Sequence, residues 1–397
     1  MSATVTSQKN AWPDGFHFAA GHCGLKSSAP DLAVIWSPAR FAAAALFTTN
    51  RLQAAPVRLS RDHLRRSGGW LRAIVVNSGN ANCATGERGE RAAAATAQAA
   101  AKFLGCPPAE IFVASTGVIG VPMPHERILD ALPRWLQRDD GGEAAAQAIL
   151  TTDTRRKIAF GAFNDGERRF HIAGMAKGSG MIHPRMATML AFLFTDAQCT
   201  PTELHRALIP AANASFHRIT VDGDTSTNDS VLLAASGMAG GLSAAGRRAF
   251  QRELEAVAQS LAVGIVRDGE GARRLVRIEV EGARNPADAE LAARAIAHSP
   301  LVKTALAGAD PNWGRILAAA GYSGARFQPG RAEVWFNRTR VYGDGRALPF
   351  DEAAMKRELD RDEVLVKVKL GAGRARTWMW TCDLTEGYIQ INASYRT

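Results

Sequence analysis

The stretch best suited to chemistry runs from Lys177 to Phe194, Lys-Gly-Ser-Gly-Met-Ile-His-Pro-Arg-Met-Ala-Thr-Met-Leu-Ala-Phe-Leu-Phe. A Gly-Ser-Gly loop and Pro184 lead into Ala187 and Thr188, and an apolar run follows that reads as a buried strand. A hydroxyl at the mouth of such a strand sits where a nucleophile would. Threonine also favours strand starts for packing reasons, so this segment taken alone is better read as a core residue. The chemical alternative is a threonine that cuts its own chain. Thr188 Oγ attacks the Ala187 carbonyl, an N-to-O acyl shift gives an ester, and water releases a new N-terminal Thr188. The freed α-amine, with an ordinary pKa near 8, can then serve as base for its own hydroxyl.

Acyl transfer also needs donors for a developing oxyanion. Ser115-Thr-Gly-Val-Ile-Gly120 follows an apolar run, and Gly117 would let backbone N–H groups approach a substrate. An ordinary strand-ending turn fits those residues too. Other signatures fail. Asp222-Gly-Asp-Thr-Ser-Thr-Asn-Asp229 begins like a calcium loop, but Thr227 stands where the loop needs glycine. Gly178-Ser-Gly180 lacks the rest of a dinucleotide or phosphate-loop fingerprint. Neither Gly-x-Ser-x-Gly nor His-Glu-x-x-His occurs. The nine histidines are scattered, so no metal site is expected.

Positioning these residues requires a mixed framework. Strands are expected at 31–36, 73–76, 111–114, 218–221, 275–280, 363–370 and 387–391, from β-branched runs bounded by turn residues. Helices are expected at 91–104, 201–214, 244–262 and 286–298, where alanine-rich segments carry helical spacing. The polar stretch 138–143 is the best linker of the first half. Together these predict layered α/β architecture, with two lobes in one body. A chain of 397 residues with 46% hydrophobic and 22% charged residues is globular in balance. No run is long and apolar enough to span a bilayer, and the first ten residues contain no secretory core. Five dispersed cysteines fit a reducing cytoplasm. The formal charge of +10 is spread in arginine pairs without interleaved aromatics, a pattern for small anionic metabolites rather than nucleic acid.

Ten motifs in order then identify the chain as resembling the ornithine acetyltransferase (glutamate N-acetyltransferase, ArgJ) family. They are Thr48-Thr-Asn50, Asn77-Ser-Gly-Asn-Ala-Asn82, Ser115 to Gly120, Thr151-Thr-Asp-Thr154, Lys177 to Ile182, Met186-Ala-Thr-Met-Leu190, Asp222 to Asp229, Asp268-Gly-Glu-Gly-Ala272, Gly308-Ala-Asp-Pro-Asn-Trp-Gly-Arg315 and Tyr388 to Thr397. The resemblance implies an α/β sandwich similar to the N-terminal-nucleophile hydrolases. It also implies self-cleavage between Ala187 and Thr188 into an α chain, 1–187, and a β chain, 188–397, which assemble as two α and two β fragments. The implied reaction moves acetyl from N2-acetylornithine to L-glutamate through acetyl-Thr188, with no cofactor. Thr116 and Gly117 would stabilise the oxyanion. Thr154, Lys177, Thr188, Glu270, Asn392 and Thr397 would bind substrate, with Lys177 suited to a carboxylate and Glu270 to an amine.

The resemblance departs from the family pattern at His183 and Arg185, on the leaving side of the cut, and at Arg273 beyond Glu270. It leaves open whether acetyl-CoA is a second donor, and it assigns no role to Asp222–Asp229 or Asp310–Arg315. Two other readings remain: a threonine amidohydrolase or aminopeptidase of the same fold, and a basic nucleic-acid binder.

Overall fold

The computed structural model describes residues 11–183 and 189–394. Ala187, Thr188, Arg185 and Thr397 therefore lie outside the described residues. Eight strands form the first sheet: β1 (His17–Gly21), β2 (Leu32–Phe47), β3 (Trp70–Asn80), β4 (Ile111–Val118), β5 (Lys157–Asp165), β6 (Arg168–Lys177), β7 (Leu190–Gln198) and β8 (Ser230–Gly241). Their order is β4-β3-β2-β8-β7-β6-β5, with β1 also paired to β2. Six more form the second: β9 (Leu275–Ala283), β10 (Glu333–Phe336), β11 (Thr339–Gly343), β12 (Arg346–Ala347), β13 (Glu363–Lys369) and β14 (Ala375–Cys382), in the order β12-β11-β10-β13-β9-β14.

The first sheet is folded over on itself. Strand β2 breaks register between Trp36 and Phe41, and its first part pairs with β1 and β3 while Ala42 to Phe47 pair with β8. Strand alternation then sorts the side chains into layers. Ile74 and Val76 of β3 and Phe112 and Ala114 of β4 share one core with Leu190, Phe192 and Phe194 of β7 and Leu232 and Ala234 of β8. The intervening residues face outward onto helices. Ala73 and Val75 meet the helix Gly86–Leu104, while Ala191, Leu193, Val231 and Leu233 meet the helices Pro201–Asn213 and Ala244–Arg267. The result is a helix–sheet–sheet–helix sandwich, the layered α/β class expected. The second sheet has its own core, shared with the helices Pro286–His298 and Trp313–Tyr322.

Three expectations need correction. Residues 218–221 form no strand. After a single 3-10 turn they make one bridge, Ile219 to Trp380, and Thr220 and Val221 spend their N–H groups on the carbonyls of Trp380 and Ile182. Residues 387–391 belong to a helix, Glu386–Ser394. Their short apolar–polar alternation carries no neighbouring edge to pair with, and Thr385 Oγ accepts from the Gly387 N–H at the helix start. The stretch 138–143 is no linker. Asp139 Oδ1 accepts from the Phe18 N–H and the Asp140 N–H donates to the Phe18 carbonyl, closing the free side of β1. No helix among the described residues is long and apolar enough to cross a membrane.

Candidate active site

A cavity of about 210 Å³ opens where β4 and β6 end. Thr116, Gly117, Lys177, Glu270 and Asn392, drawn from four distant parts of the chain, all line it. Thr154 does not. Its neighbours Thr151 and Thr152 face the cavity instead, while the Thr154 hydroxyl and N–H both donate to the Asp268 carboxylate.

The Thr116–Gly117 end of β4 owes its shape to the parallel pairing with β3, which sets Gly79 beside Gly117. Gly117 has φ of 130°, and a Cβ there would meet the Gly79 carbonyl carbon at 2.3 Å. Only glycine permits both the conformation and the approach. Asparagines peg this double turn. Asn77 Oδ1 accepts from Ser115 Oγ at 2.5 Å, Asn77 Nδ2 donates to the Asn80 carbonyl, and Asn228 Nδ2 donates to the carbonyls of Ala81 at 2.7 Å and Ser115 at 2.8 Å. The Asn77–Asn82 motif is thus the buttress of the turn. Thr48 and Asn50 hold the facing loop through the carbonyls of Ser226 and Thr225.

Lys177 is 2% exposed. Its Nζ donates to Thr151 Oγ1 at 2.6 Å and to Thr116 Oγ1 at 3.3 Å, with Asp153 at 3.8 Å. Burial pulls its pKa below the usual lysine value, and Asp153 opposes that pull. Glu270 accepts from Asn392 Nδ2 at 2.9 Å, and Gly180 leaves room for it, since a Cβ there would sit 2.4 Å from a Glu270 oxygen. The apparent strand amide, Asn392, therefore reaches the site from a helix.

Several residues of the site had no assigned role in the sequence. Asp222 lines the cavity and accepts from the N–H groups of Met181 at 2.5 Å and Ile182 at 2.9 Å, fixing the loop that follows Gly180. Burial raises its carboxyl pKa. Tyr388 OH donates to it at 3.3 Å, and burial together with that carboxylate raises the phenol. Asp229 is fully buried and accepts from the N–H of Met189, where the described chain resumes, at 2.8 Å. Burial pushes its pKa well above the usual carboxylate value. Asp-Gly-Asp was polar enough to suggest a site, but nothing in its spacing distinguished a loop clamp from a turn.

Other sequence candidates stand apart. Of Asp310–Arg315, Asp310 to Gly314 border a separate cavity with Phe350 and Lys356. Arg273 is exposed, held by its N–H to Asp383, and does not line the active cavity. The His183 ring packs 4.6 Å from that of His298. Among the described residues no group of three or more His, Cys, Asp or Glu side chains is disposed to hold a metal.

Fold and cavity together define a layered α/β protein with a polar site pinned by buried amides and carboxylates. The model of the ArgJ family matches residues 17–397. The arginine biosynthesis bifunctional protein ArgJ of Symbiobacterium thermophilum is 48% identical over 396 residues, covering 97% of this chain and 98% of its own. The protein of the same name from Thermus thermophilus is 50% identical over 388 residues, covering 97% and 99%. Among solved structures, the ornithine acetyltransferase of Mycobacterium tuberculosis complexed with ornithine is similar at 34% identity, with 43% of this chain and 92% of that chain covered and a TM-score of 0.37. The chain belongs to the ArgJ family, a family of arginine-biosynthesis enzymes.

Proposed function

We propose that the protein is a glutamate N-acetyltransferase that takes acetyl from N2-acetylornithine and gives it to L-glutamate. The observation that carries this reading is the convergence of Thr116, Gly117, Lys177, Glu270 and Asn392 on one cavity. The ArgJ name of relatives covering nearly the whole chain supports it.

In this reading the chain first cuts itself between Ala187 and Thr188, and the two fragments stay together as pairs in a heterotetramer. The Thr188 amine takes the proton of its own hydroxyl while Oγ attacks the acetyl carbonyl of acetylornithine. Negative charge gathers on the former carbonyl oxygen, where the Thr116 hydroxyl and the Gly117 N–H donate to it. The carbon–nitrogen bond breaks, the amine of ornithine leaves with the proton held by the Thr188 amine, and acetyl remains as an ester. Glutamate then enters, its unprotonated α-amine attacks the ester, and Thr188 Oγ leaves with a proton. Lys177 attracts a substrate carboxylate, and Glu270, held by Asn392, attracts an ammonium. Thr397 contacts the substrate's amino-acid part. No cofactor is required.

The test combines a gel and an assay. Fragments of about 20 and about 22 kDa should replace the 42.4 kDa chain, dividing it in proportion to length. Acetylornithine plus glutamate should yield N-acetylglutamate and ornithine, with acetyl-CoA plus glutamate as a second arm for the other donor. Release of acetate without transfer would instead make it a hydrolase. A single uncut band that still transfers acetyl would remove the free-amine base.

A further inference from the structure

Behind the cavity wall, Lys177 joins a set of buried charges, Asp153, Lys157 and Asp268, to which the proposed reaction gives no role. Asp153, with a fully buried side chain, accepts from Lys157 Nζ, from the Gly178 N–H at 2.7 Å and from the Thr151 N–H at 3.0 Å. Its remaining reach is to Lys177 Nζ at 3.8 Å. Lys157 spans from Asp153 to Asp268 at 2.5 Å, and Asp268 in turn takes the N–H and hydroxyl of Thr154. Two carboxylates thus face two buried ammonium groups, and the exposed Arg155 guanidinium adds a further contact to Asp268 at 3.4 Å from the solvent side. Removing either carboxylate leaves an uncompensated cation.

We propose that Asp153 is a positioning residue of the acyl-transfer site, fixing the Lys177 ammonium against Thr116 Oγ so that the Thr116 hydroxyl keeps its single proton for the oxyanion. The inference rests on the functional reading above. A hydroxyl owns one proton and two lone pairs. Lys177 Nζ has only protons to give, so at the 3.3 Å contact Thr116 Oγ must accept. Its own O–H is then free to point into the cavity it lines. The three N–H groups of Lys177 face Thr151, Thr116 and Asp153, so the lysine serves the site through Thr116 and by its charge. Thr154 enters the same scheme from behind, through Asp268, which accounts for its absence from the cavity lining.

The charge state of Lys177 gives a readout that a merely structural role would not move. Its surroundings are Asp153 before β5, Lys157 on β5, Glu270 after the helix Ala244–Arg267, Asp229 before β8, and Lys26 near the start of β2. Burial and Lys157 favour the neutral amine, whereas Asp153, Glu270 and Asp229 favour the ammonium. Asp153→Asn removes one of those three anions and leaves Lys157 in place. Turnover should fall roughly ten- to hundredfold, as for a lost bond to a charged group. More tellingly, the alkaline limb of the kcat profile should move to lower pH by about one to three units. Asp153→Glu keeps the charge and should return the limb toward its wild-type position. If the Asn variant fails to fold or to cut itself, Thr151→Val decides the matter. It removes the 2.6 Å acceptor of Lys177 and should shift the same limb in the same direction, by less. A limb that stays in place in whichever variant is active overturns the proposal. Wild type that transfers no acetyl overturns the functional reading instead.

Discussion

Two polar, glycine-bearing loops of this chain read much alike as sequence and differ in kind as structure. Asn77–Asn82 and its partner Ser115–Gly120 press backbone against backbone, and their carbonyls are held from far away in the chain, as Asn228 Nδ2 donates to those of Ala81 and Ser115. Gly308–Arg315 satisfies itself instead. Asn312 Oδ1 caps its own helix by accepting from the Arg315 N–H, and Asn312 Nδ2 reaches Asp310 two residues back. Beyond its own helix backbone and its two chain neighbours, a Cβ on Gly314 would come no nearer than 3.6 Å to any heavy atom, the Asn312 amide oxygen. Long-range pegs hold the first pair of loops in a backbone conformation that local bonds alone do not set. Local caps mark only a helix start.

The sharpest way to break this contrast is a pair of glycine substitutions. Gly117→Val should lower kcat at least roughly a hundredfold, by pushing the residue 117 N–H out of reach of the oxyanion, and should also depress melting, because the new side chain collides with Gly79. Gly314→Ala should leave turnover intact and hold or raise the melting temperature, since alanine suits a helix better by up to about 1 kcal/mol. Equal effects at the two sites would dissolve the distinction.

Asparagine truncation gives the next largest separation. Asn228→Ala strips two buried carbonyls of their donor and should cost about 2 to 4 kcal/mol in chemical denaturation, whereas Asn312→Ala loses a cap worth about 1 kcal/mol.

Acid unfolding tests the charge set that backs the first loop. Burial alone would raise the Asp153 carboxyl, but Lys177 and Lys157 hold it at about 2. A carboxyl depressed in the folded state stabilises above its unfolded pKa near 4, and loses that contribution as pH falls toward about 2. The wild type should therefore lose about 2 kcal/mol across that window, and Asp153→Asn should show a flatter curve there. The same slope in both would take Asp153 out of the acid response.

How far the sequence carried is itself uneven. Long amphipathic helices such as Pro286–His298 and the apolar runs of β3, β4, β9 and β13 were legible, because periodicity there reports burial directly. Strands β1, β5, β6, β8, β10 to β12 and β14 were not marked out: β14 and β8 pair with strands remote in sequence, while the hairpins β5–β6 and β10–β12 turn on Gly166-Glu167, Asn337-Arg338 and Asp344-Gly345, local signals that the apolar runs did not frame. The end of the chain misled for a related reason: Tyr388, Ile389 and Ile391 suit either a short strand or a helix, and only tertiary contacts chose. Five of the residues singled out for chemistry meet at the cavity, because motif identity tracks chemistry. Thr154 and Thr151 could not be told apart without knowing which hydroxyl Asp268 claims. Asp153 and Asp222 stood inside noted motifs but without a role, because what they do is hold other backbone and side-chain groups.

The terminal helix, Glu386–Ser394, contains no buried residue, and Ile389 is 67% exposed. It nonetheless contributes Tyr388 and Asn392 to the cavity and is moored by polar ties to Asp222, Glu270 and, through Thr385 Oγ, the Gly271 carbonyl. One wall of the site is thus a helix with no buried residue of its own, and its amides should exchange with solvent well before those of β7 or β8. Occupancy by a charged ligand that adds ties to this wall would slow that exchange, which makes the helix a natural reporter of whether the cavity is filled.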